Sequence, residues 1–220
     1  SGAGSAFIFP ILAILLVPVG LAFAELTAML PFASAVDVWT TNAFGHKAGW
    51  STQWMMFLVQ VVEPPLMAFI FLTAINYFIP IPAGMAKTVA IGLVFLWYVI
   101  SNFDIKLTGT LANLFFYSMI VMSLFVATVF FMNDSWSMSN ITGHGGYFPK
   151  GGYGVFIAMA VFSLKFIGFE FTPTLIEETN FPAGKMWIVV MSALFIPAVL
   201  YLIVVLAIGG LAPWGEIAGM

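Results

Sequence analysis

The sequence predicts an all-α polytopic membrane protein, and three observations support that fold class. Hydrophobic residues make up 62% of the 220 residues and charged residues only 7%, with a mean hydropathy of +1.10. A soluble domain is about 45–50% apolar and about 25% charged, so water could not solvate a surface built from this chain. Turn-forming residues separate long apolar stretches, and the period-2 alternation of a membrane barrel is absent from the sequence. Because unpaired backbone groups are costly in lipid, the stretches should be helices.

Taken in order along the chain, the apolar stretches define six predicted spans. A helix that crosses about 30 Å of hydrocarbon needs about 20 mostly apolar residues. The predicted spans are residues 6–30, 49–79, 87–101, 107–132, 153–176 and 186–210, of which the third is the shortest. A Pro-Ile-Pro-Ala-Gly turn at 80–84 and a connector rich in Gly, Ser and Asn at 133–152 are the clearest boundaries. Together the spans are predicted to form a single transmembrane domain over residues 1–220.

Charge and residue counts exclude several classes of protein. Six lysines and no arginine stand against nine acidic residues, for a net charge of −3, so no basic stripe could hold a nucleic acid. The absence of cysteine removes thiolate metal sites and disulfides. His46 and His144 lie in different loops, too far apart in sequence to suggest a metal site. The sequence contains no phosphate-binding, metalloprotease or serine-hydrolase motif, so it predicts neither a cofactor nor a metal.

The lysines of the connectors give a weak indication of sidedness. Alternate connectors hold Lys47, Lys106 and Lys185 on one side and Lys87 and Lys150 on the other. Cytoplasmic loops carry an excess of Lys and Arg, so three against two favours a cytoplasmic Lys47.

Glu63 is a carboxylate at the predicted centre of the second span. Insertion scales put the free-energy cost of a charge at that depth at about 2.5–3.5 kcal/mol, so a carboxylate there is expected to have a specific partner or function. It precedes Pro64 and Pro65, which remove backbone donors and predict a broken stretch of helix. Glu63 could line a cavity and bind a substrate ammonium or carry a proton. It could equally be protonated and bonded to a carbonyl that the prolines free.

Lys165 and Glu170 are charged residues within the fifth predicted span, on either side of Gly168. Gly168 is a weak helix former, and a break there would expose backbone groups to a ligand, as in the discontinuous helices of transporters. Lys165 could face a substrate carboxylate, or it could snorkel or pair with a carboxylate on another span. Glu170 is predicted to act as a gate or proton site. The two charges are five residues apart, so they would not share a face of a continuous helix.

Four short motifs resemble the amino acid–polyamine–organocation superfamily of amino-acid permeases. The motifs are ELTAMLP at 25–31, AFGHKAGW at 43–50, FIGFE at 166–170 and EETNFP at 177–182, and their order and spacing agree with that family. Bacterial amino-acid antiporters are the most similar members. The chain departs from the family where Ser34, Ala35 and Asp37 replace Gly-Gly and Tyr.

The resemblance implies a partial LeuT-like inverted-repeat fold that corresponds to helices two to seven of a twelve-helix transporter. We therefore expect the chain to be part of a longer protein, without the first helix that carries the family's other substrate contacts. The resemblance also implies which residues bind substrate or gate the site: Ser163, Leu164, Lys165, Ile167, Gly168, Glu170 and Glu63. Lys165 departs from the pattern, since related antiporters carry a small polar residue there.

The function predicted from the sequence is secondary active transport of an amino acid or related amine by alternating access, as a permease or antiporter. The expected partners are the substrate, the lipid bilayer and a coupled proton, and the sequence is compatible with a homodimer. The expected location is the cell membrane. A membrane-embedded enzyme is disfavoured because the predicted spans contain no histidine. An ion channel, or a membrane protein that moves another solute, is the alternative.

Overall fold

The computed structural model describes residues 4–82, 84–102, 105–142, 146–148 and 150–213, and the regular secondary structure of those residues is helical throughout. His144 lies outside the described residues. The all-α prediction is therefore confirmed for the part of the chain that is described. The α-helices are α1 Ser5–Met29, α2 Val36–Phe44, α3 His46–Phe78, α4 Ala86–Ser101, α5 Ile105–Phe131, α6 Met138–Thr142, α7 Gly151–Ser163 and α8 Met186–Gly209. Segments of 3₁₀ helix cover Leu164–Phe166, Phe169–Glu178 and Ala183–Lys185.

Five helical segments of the described chain are long and apolar enough to cross a membrane. They are Ser5–Met29, His46–Phe78, Lys106–Phe131, Gly151–Glu178 and Ala183–Gly209. The third predicted span, residues 87–101, corresponds to α4, an apolar helix of 16 residues. At about 1.5 Å per residue α4 is about 24 Å long, which is shorter than the roughly 30 Å hydrocarbon core. A sixth crossing at α4 therefore stays a prediction.

The chain divides into two compact units. The first contains Ser1–Ala35 and Ser118–Met220, and the second contains Val36–Tyr117. The sequence predicted one transmembrane domain over residues 1–220, and that assignment also stays a prediction.

The first unit is built on the packing of α1 against α8. Its main core cluster joins Ile8, Phe9, Leu12 and Ala13 of α1 to Leu194 and Ala198 of α8. The two helices approach closely at Gly20, where a Cβ atom would lie 2.8 Å from Met191 Cε and 3.0 Å from Val190 Cγ1. Small residues allow such close contact between membrane helices. This core supports the segment that follows α7.

The second unit contains α2, α3 and α4. α2 packs on α3 at Gly49, where a Cβ atom would lie 3.0 Å from the backbone oxygen of Asp37. α4 packs on α3 through a small cluster of Ala68, Leu72 and Ala90. Small residues therefore lie at both contacts: Gly49 against α2, and Ala68 and Ala90 between α3 and α4.

The prediction of a broken helix beside Glu63 is wrong. α3 runs without interruption from His46 to Phe78, with Pro64 and Pro65 inside it. The prolines remove the hydrogen bonds that their nitrogens would donate one turn back, but their fixed φ is compatible with a helical backbone. Membrane helices tolerate such prolines because neighbouring groups satisfy the freed carbonyls.

Candidate functional site

The described part of the chain contains a long apolar helix that is interrupted near its middle, in the first unit. α7 ends at Ser163 and passes into one 3₁₀ turn, Leu164–Phe166. Ile167 then adopts φ −57° and ψ 134°, which ends the helical backbone. Helical geometry resumes only at Phe169. The interruption therefore falls at the glycine where the sequence predicted it.

Gly168 makes the interruption possible through its backbone conformation. It has φ +122° and ψ −27°, in a region that residues with a Cβ atom rarely adopt. A Cβ atom built on Gly168 would meet no other atom within 4 Å. The requirement for glycine is thus conformational and does not come from crowding.

The carboxylate of Glu170 caps the interruption. Its Oε2 atom accepts a hydrogen bond of 2.8 Å from the backbone N–H of Gly168. The backbone N–H of Phe171 donates to the carbonyl oxygen of Gly168 at 3.1 Å. A hydrogen bond to an ionised carboxylate is roughly twice as strong as one between neutral groups. The charge of Glu170 is thereby tied to the conformation of the glycine two residues before it.

The segment after the interruption is a long 3₁₀ helix, Phe169–Glu178, of 10 residues. Runs of 3₁₀ helix longer than about 3–4 residues are uncommon, and within a helix they often mark a hinge or strain. Two threonines satisfy carbonyls three residues earlier: the hydroxyl of Thr172 donates to Phe169 O at 2.6 Å, and that of Thr174 to Phe171 O at 2.7 Å. Pro173, between them, has no N–H to donate.

Large side chains on both sides of the interruption anchor it to the core of the first unit. Phe166 is buried in the α1–α8 cluster, and Ile176 is buried in a second cluster with Ala24 and Val190. Phe169 packs against both clusters, and its ring centroid lies 5.9 Å from that of Phe23. One face of the broken segment is therefore held in place.

The opposite face of the broken segment is exposed, and it carries several of the predicted site residues. Leu164 is 63% exposed and Ile167 49% exposed, and Lys165 and Gly168 are exposed as well. The hydroxyl of Ser163 donates to Ala160 O at 2.8 Å. The structure thus brings Ser163, Leu164, Lys165, Ile167, Gly168 and Glu170 together in one short segment.

Lys165 makes no ion pair or hydrogen bond with any residue that the structure describes. In particular, it does not pair with Glu170. Pairing with a carboxylate of another span, one of the three roles considered for it, is therefore not seen among the described residues. An unpaired ammonium on the exposed face of a broken membrane helix can attract an anionic group.

Glu63 lies on the continuous helix α3, in the second unit. Its side chain is half-buried. Its carboxylate forms no hydrogen bond or ion pair within the described ranges, so the proposed bond to a freed carbonyl is not observed there. Glu63 differs in this from Glu170, which has a backbone partner.

Among the residues that the structure describes, no group of three or more His, Cys, Asp or Glu side chains is placed to hold a metal ion.

Two features of the site went unrecognised in the sequence. One is the bond from Gly168 to Glu170, and the other is the 3₁₀ winding with its threonine bonds. A glycine followed two residues later by a carboxylate, and two threonines flanking a proline, were the available signals.

Membrane-length apolar helices, one of them interrupted at a glycine, define a polytopic helical membrane protein with a discontinuous helix, an arrangement found in secondary transporters. The chain belongs to the amino acid permease family, which it matches over residues 1–220. The resemblance to the amino acid–polyamine–organocation superfamily is thereby confirmed. The family is one of transporters and not of enzymes, and it implies the LeuT-like fold.

Two curated proteins illustrate how far the similarity extends. The chain is 33% identical over 99 residues to the uncharacterized amino acid permease YvbW of Bacillus subtilis (strain 168), an alignment that covers 44% of this chain and 22% of the relative. It is 33% identical over 76 residues to the uncharacterized transporter lpg1691 of Legionella pneumophila, covering 34% and 16% respectively. The matched segments thus span less than a quarter of either relative. No solved structure matches the chain.

Proposed function

We propose that the protein is a secondary active transporter of amino acids or related amines, working by alternating access in the cell membrane. Membership of the amino acid permease family supports amino acid transport. The observation that carries the mechanism is the interruption at Ile167 and Gly168 within a helix of membrane length.

The interruption supplies polar backbone groups at a depth where lipid offers none. The last carbonyls of an α-helix have no partner within the helix, and in hydrocarbon each needs another donor. Discontinuous transporter helices use such groups to bind substrates and ions near the bilayer midplane. Ser163 and the turn Leu164–Phe166 carry the carbonyls that would meet the ammonium of a substrate.

Lys165 is proposed to contact the carboxylate of the substrate. Its side chain is exposed and has no partner among the described residues, so its charge is available. Leu164 and Ile167 flank it and would contribute apolar contacts that exclude water. Substrates with an additional carboxylate would gain most from the lysine.

Glu170 is proposed to gate the site and to couple it to protons. Protonation would replace its charge-assisted bond to Gly168 by a neutral one of roughly half the strength. The conformation at Gly168 would then be easier to change. A rise in proton concentration would therefore loosen the interruption. Exchange of one substrate for another would then depend on protons, and the proton would act as a coupling ion.

Glu63 is proposed as a second charged group, for a substrate ammonium or a proton. Its carboxylate is half-buried on a predicted membrane helix and has no partner within the described ranges, as a charge-complementing group requires. Assembly as a homodimer is a separate proposal, which the mass of the purified protein in detergent would test.

The decisive experiment is counterflow of radiolabelled substrates in proteoliposomes that contain the full-length protein. The panel contains acidic, basic and neutral amino acids and their decarboxylated amines. We expect accumulation of at least one class, with amino acids favoured over the amines that lack a carboxylate. Well-folded protein that accumulates none of them would instead indicate a channel or a carrier for another solute.

A further inference from the structure

An apolar groove between α3 and α4, in the second unit, has a single cation at one end. Its volume is about 570 Å³. Pro65 and Phe69 form the α3 wall, and the α4 wall runs from Lys87 through Ile91 and Phe95 to Tyr98. Apart from Lys87 and the hydroxyl of Tyr98, the side chains that line it are apolar.

The length of the groove matches one leaflet of a bilayer. Its α4 residues share one face of the helix, and Tyr98 follows Lys87 by 11 residues. At about 1.5 Å per residue this is about 16.5 Å, close to half of the roughly 30 Å hydrocarbon core. Lys87 is in the first turn of α4, so the cation lies at one end of the groove and the apolar wall extends away from it.

Lys87 has no acidic partner in the part of the chain that the structure describes. It is the only charged residue in the sequence between Glu63 and Asp104. Its ammonium is exposed and forms no ion pair or hydrogen bond with the residues that the structure describes. A cation at the end of an apolar groove one leaflet deep complements a molecule with an anionic head and a long acyl chain.

We propose that this groove is a binding site for an anionic phospholipid, with the phosphate-bearing headgroup at Lys87 and one acyl chain along Ile91 and Phe95. The ammonium of a lysine forms charge-assisted hydrogen bonds with a phosphate in either leaflet. A lysine near the membrane surface contributes about a fivefold preference for an anionic lipid over a zwitterionic one. The groove is formed by α3 and α4 of the second unit alone, and the proposal does not depend on the proposed transport function.

Photo-crosslinking from inside the groove tests the proposal directly. The full-length protein carries p-azidophenylalanine in place of Phe95 and is reconstituted in nanodiscs with equal amounts of phosphatidylglycerol and phosphatidylcholine. Phe125 on α5 is the matched control position, because Phe95 and Phe125 are both 63% exposed and Phe125 does not line this groove. Mass spectrometry of the intact protein identifies the lipid attached at each position.

We expect the ratio of phosphatidylglycerol to phosphatidylcholine adducts to be about fivefold higher at position 95 than at position 125. Lys87→Gln should reduce the ratio at position 95 to the control value, and Lys87→Arg should preserve it. Continued formation of phosphatidylcholine adducts in Lys87→Gln would show that the groove is intact. An unchanged ratio in Lys87→Gln would overturn the proposal. So would crosslinks at position 95 to another part of the protein or to a second copy, which would mean that protein covers the groove.

Discussion

Glu170 combines two roles in one side chain, because the carboxylate that would sense protons is also the cap of the interrupted helix. Its bond of 2.8 Å to Gly168 N–H means that a change of charge is also a change in backbone restraint. Two substitutions separate these roles. Glutamine keeps an oxygen acceptor and loses the charge, whereas leucine loses both.

We predict that Glu170→Gln folds normally but loses exchange or its dependence on pH. Glu170→Leu should also be destabilised, by about 0.5–1.5 kcal/mol, because the backbone N–H of Gly168 loses its side-chain acceptor. Counterflow measured over a range of buffered pH, together with thermal unfolding in detergent, distinguishes the two variants. Wild-type transport by Glu170→Gln at every pH would reject the gating role.

Lys165 allows a second prediction at the scale of a single residue. Lys165→Ser should weaken the preference for anionic substrates about tenfold or more, since a hydrogen bond to a charged group is worth about 1.5–3 kcal/mol. Lys165→Arg should retain most of the preference. Lys185, an exposed lysine at the end of Ala183–Lys185, provides the control: Lys185→Ser removes the same charge elsewhere in the unit. Competition of acidic and neutral substrates in counterflow is the measurement, and equal effects of Lys165→Ser and Lys185→Ser would contradict a specific contact.

At the scale of the element, the broken helix depends on one glycine conformation, and this gives a third prediction. Gly168→Ala should cost about 1–3 kcal/mol of stability and impair transport, because φ +122° is strained for a residue with a Cβ atom. Gly184→Ala is the matched control. Both glycines have open space around a built Cβ, but only Gly168 has a left-handed φ. Thermal unfolding of the two variants should differ accordingly, and equal stability would show that the interruption tolerates alanine.

The elements also show what could be predicted from the sequence. The positions of the long helices were predictable because a membrane-length apolar stretch can be recognised from local composition alone. The interruption was predictable because Gly168 lies between bulky residues in such a stretch. The continuation of α3 through Pro64 and Pro65 was not predictable, because two such prolines can break a helix or stay within it, depending on what surrounds them.

The bond between Glu170 and Gly168 could not be deduced for a different reason. It requires a particular backbone geometry at Gly168, and sequence spacing alone does not specify φ. The close approach at Gly20 is similar: the sequence contains 20 glycines, and nothing local marks Gly20 as the one that faces Val190 and Met191.

At the scale of the whole molecule, the membrane topology depends on whether α4 crosses the bilayer. α4 has 16 residues and is about 24 Å long, so a crossing would need local thinning of the bilayer or help from flanking residues. The alternative is an α4 that enters the membrane without crossing it. The connectors that follow α4 lie on one side of the membrane if α4 crosses it, and on the other side if it does not.

Single cysteines replacing Lys47 and Lys185 decide between the two topologies when any cysteine outside residues 1–220 is replaced by serine, since residues 1–220 themselves contain no cysteine. With α4 as a full crossing, four crossings separate the two lysines, so Lys47→Cys and Lys185→Cys should react from the same side, and the weak lysine bias makes that side cytoplasmic. Without it only three crossings remain, and the two cysteines should react from opposite sides. A membrane-impermeant maleimide applied to intact cells and to permeabilised cells is the measurement. We expect both positions to be protected in intact cells and labelled after permeabilisation, and labelling of Lys185→Cys alone in intact cells would remove α4 from the set of spans.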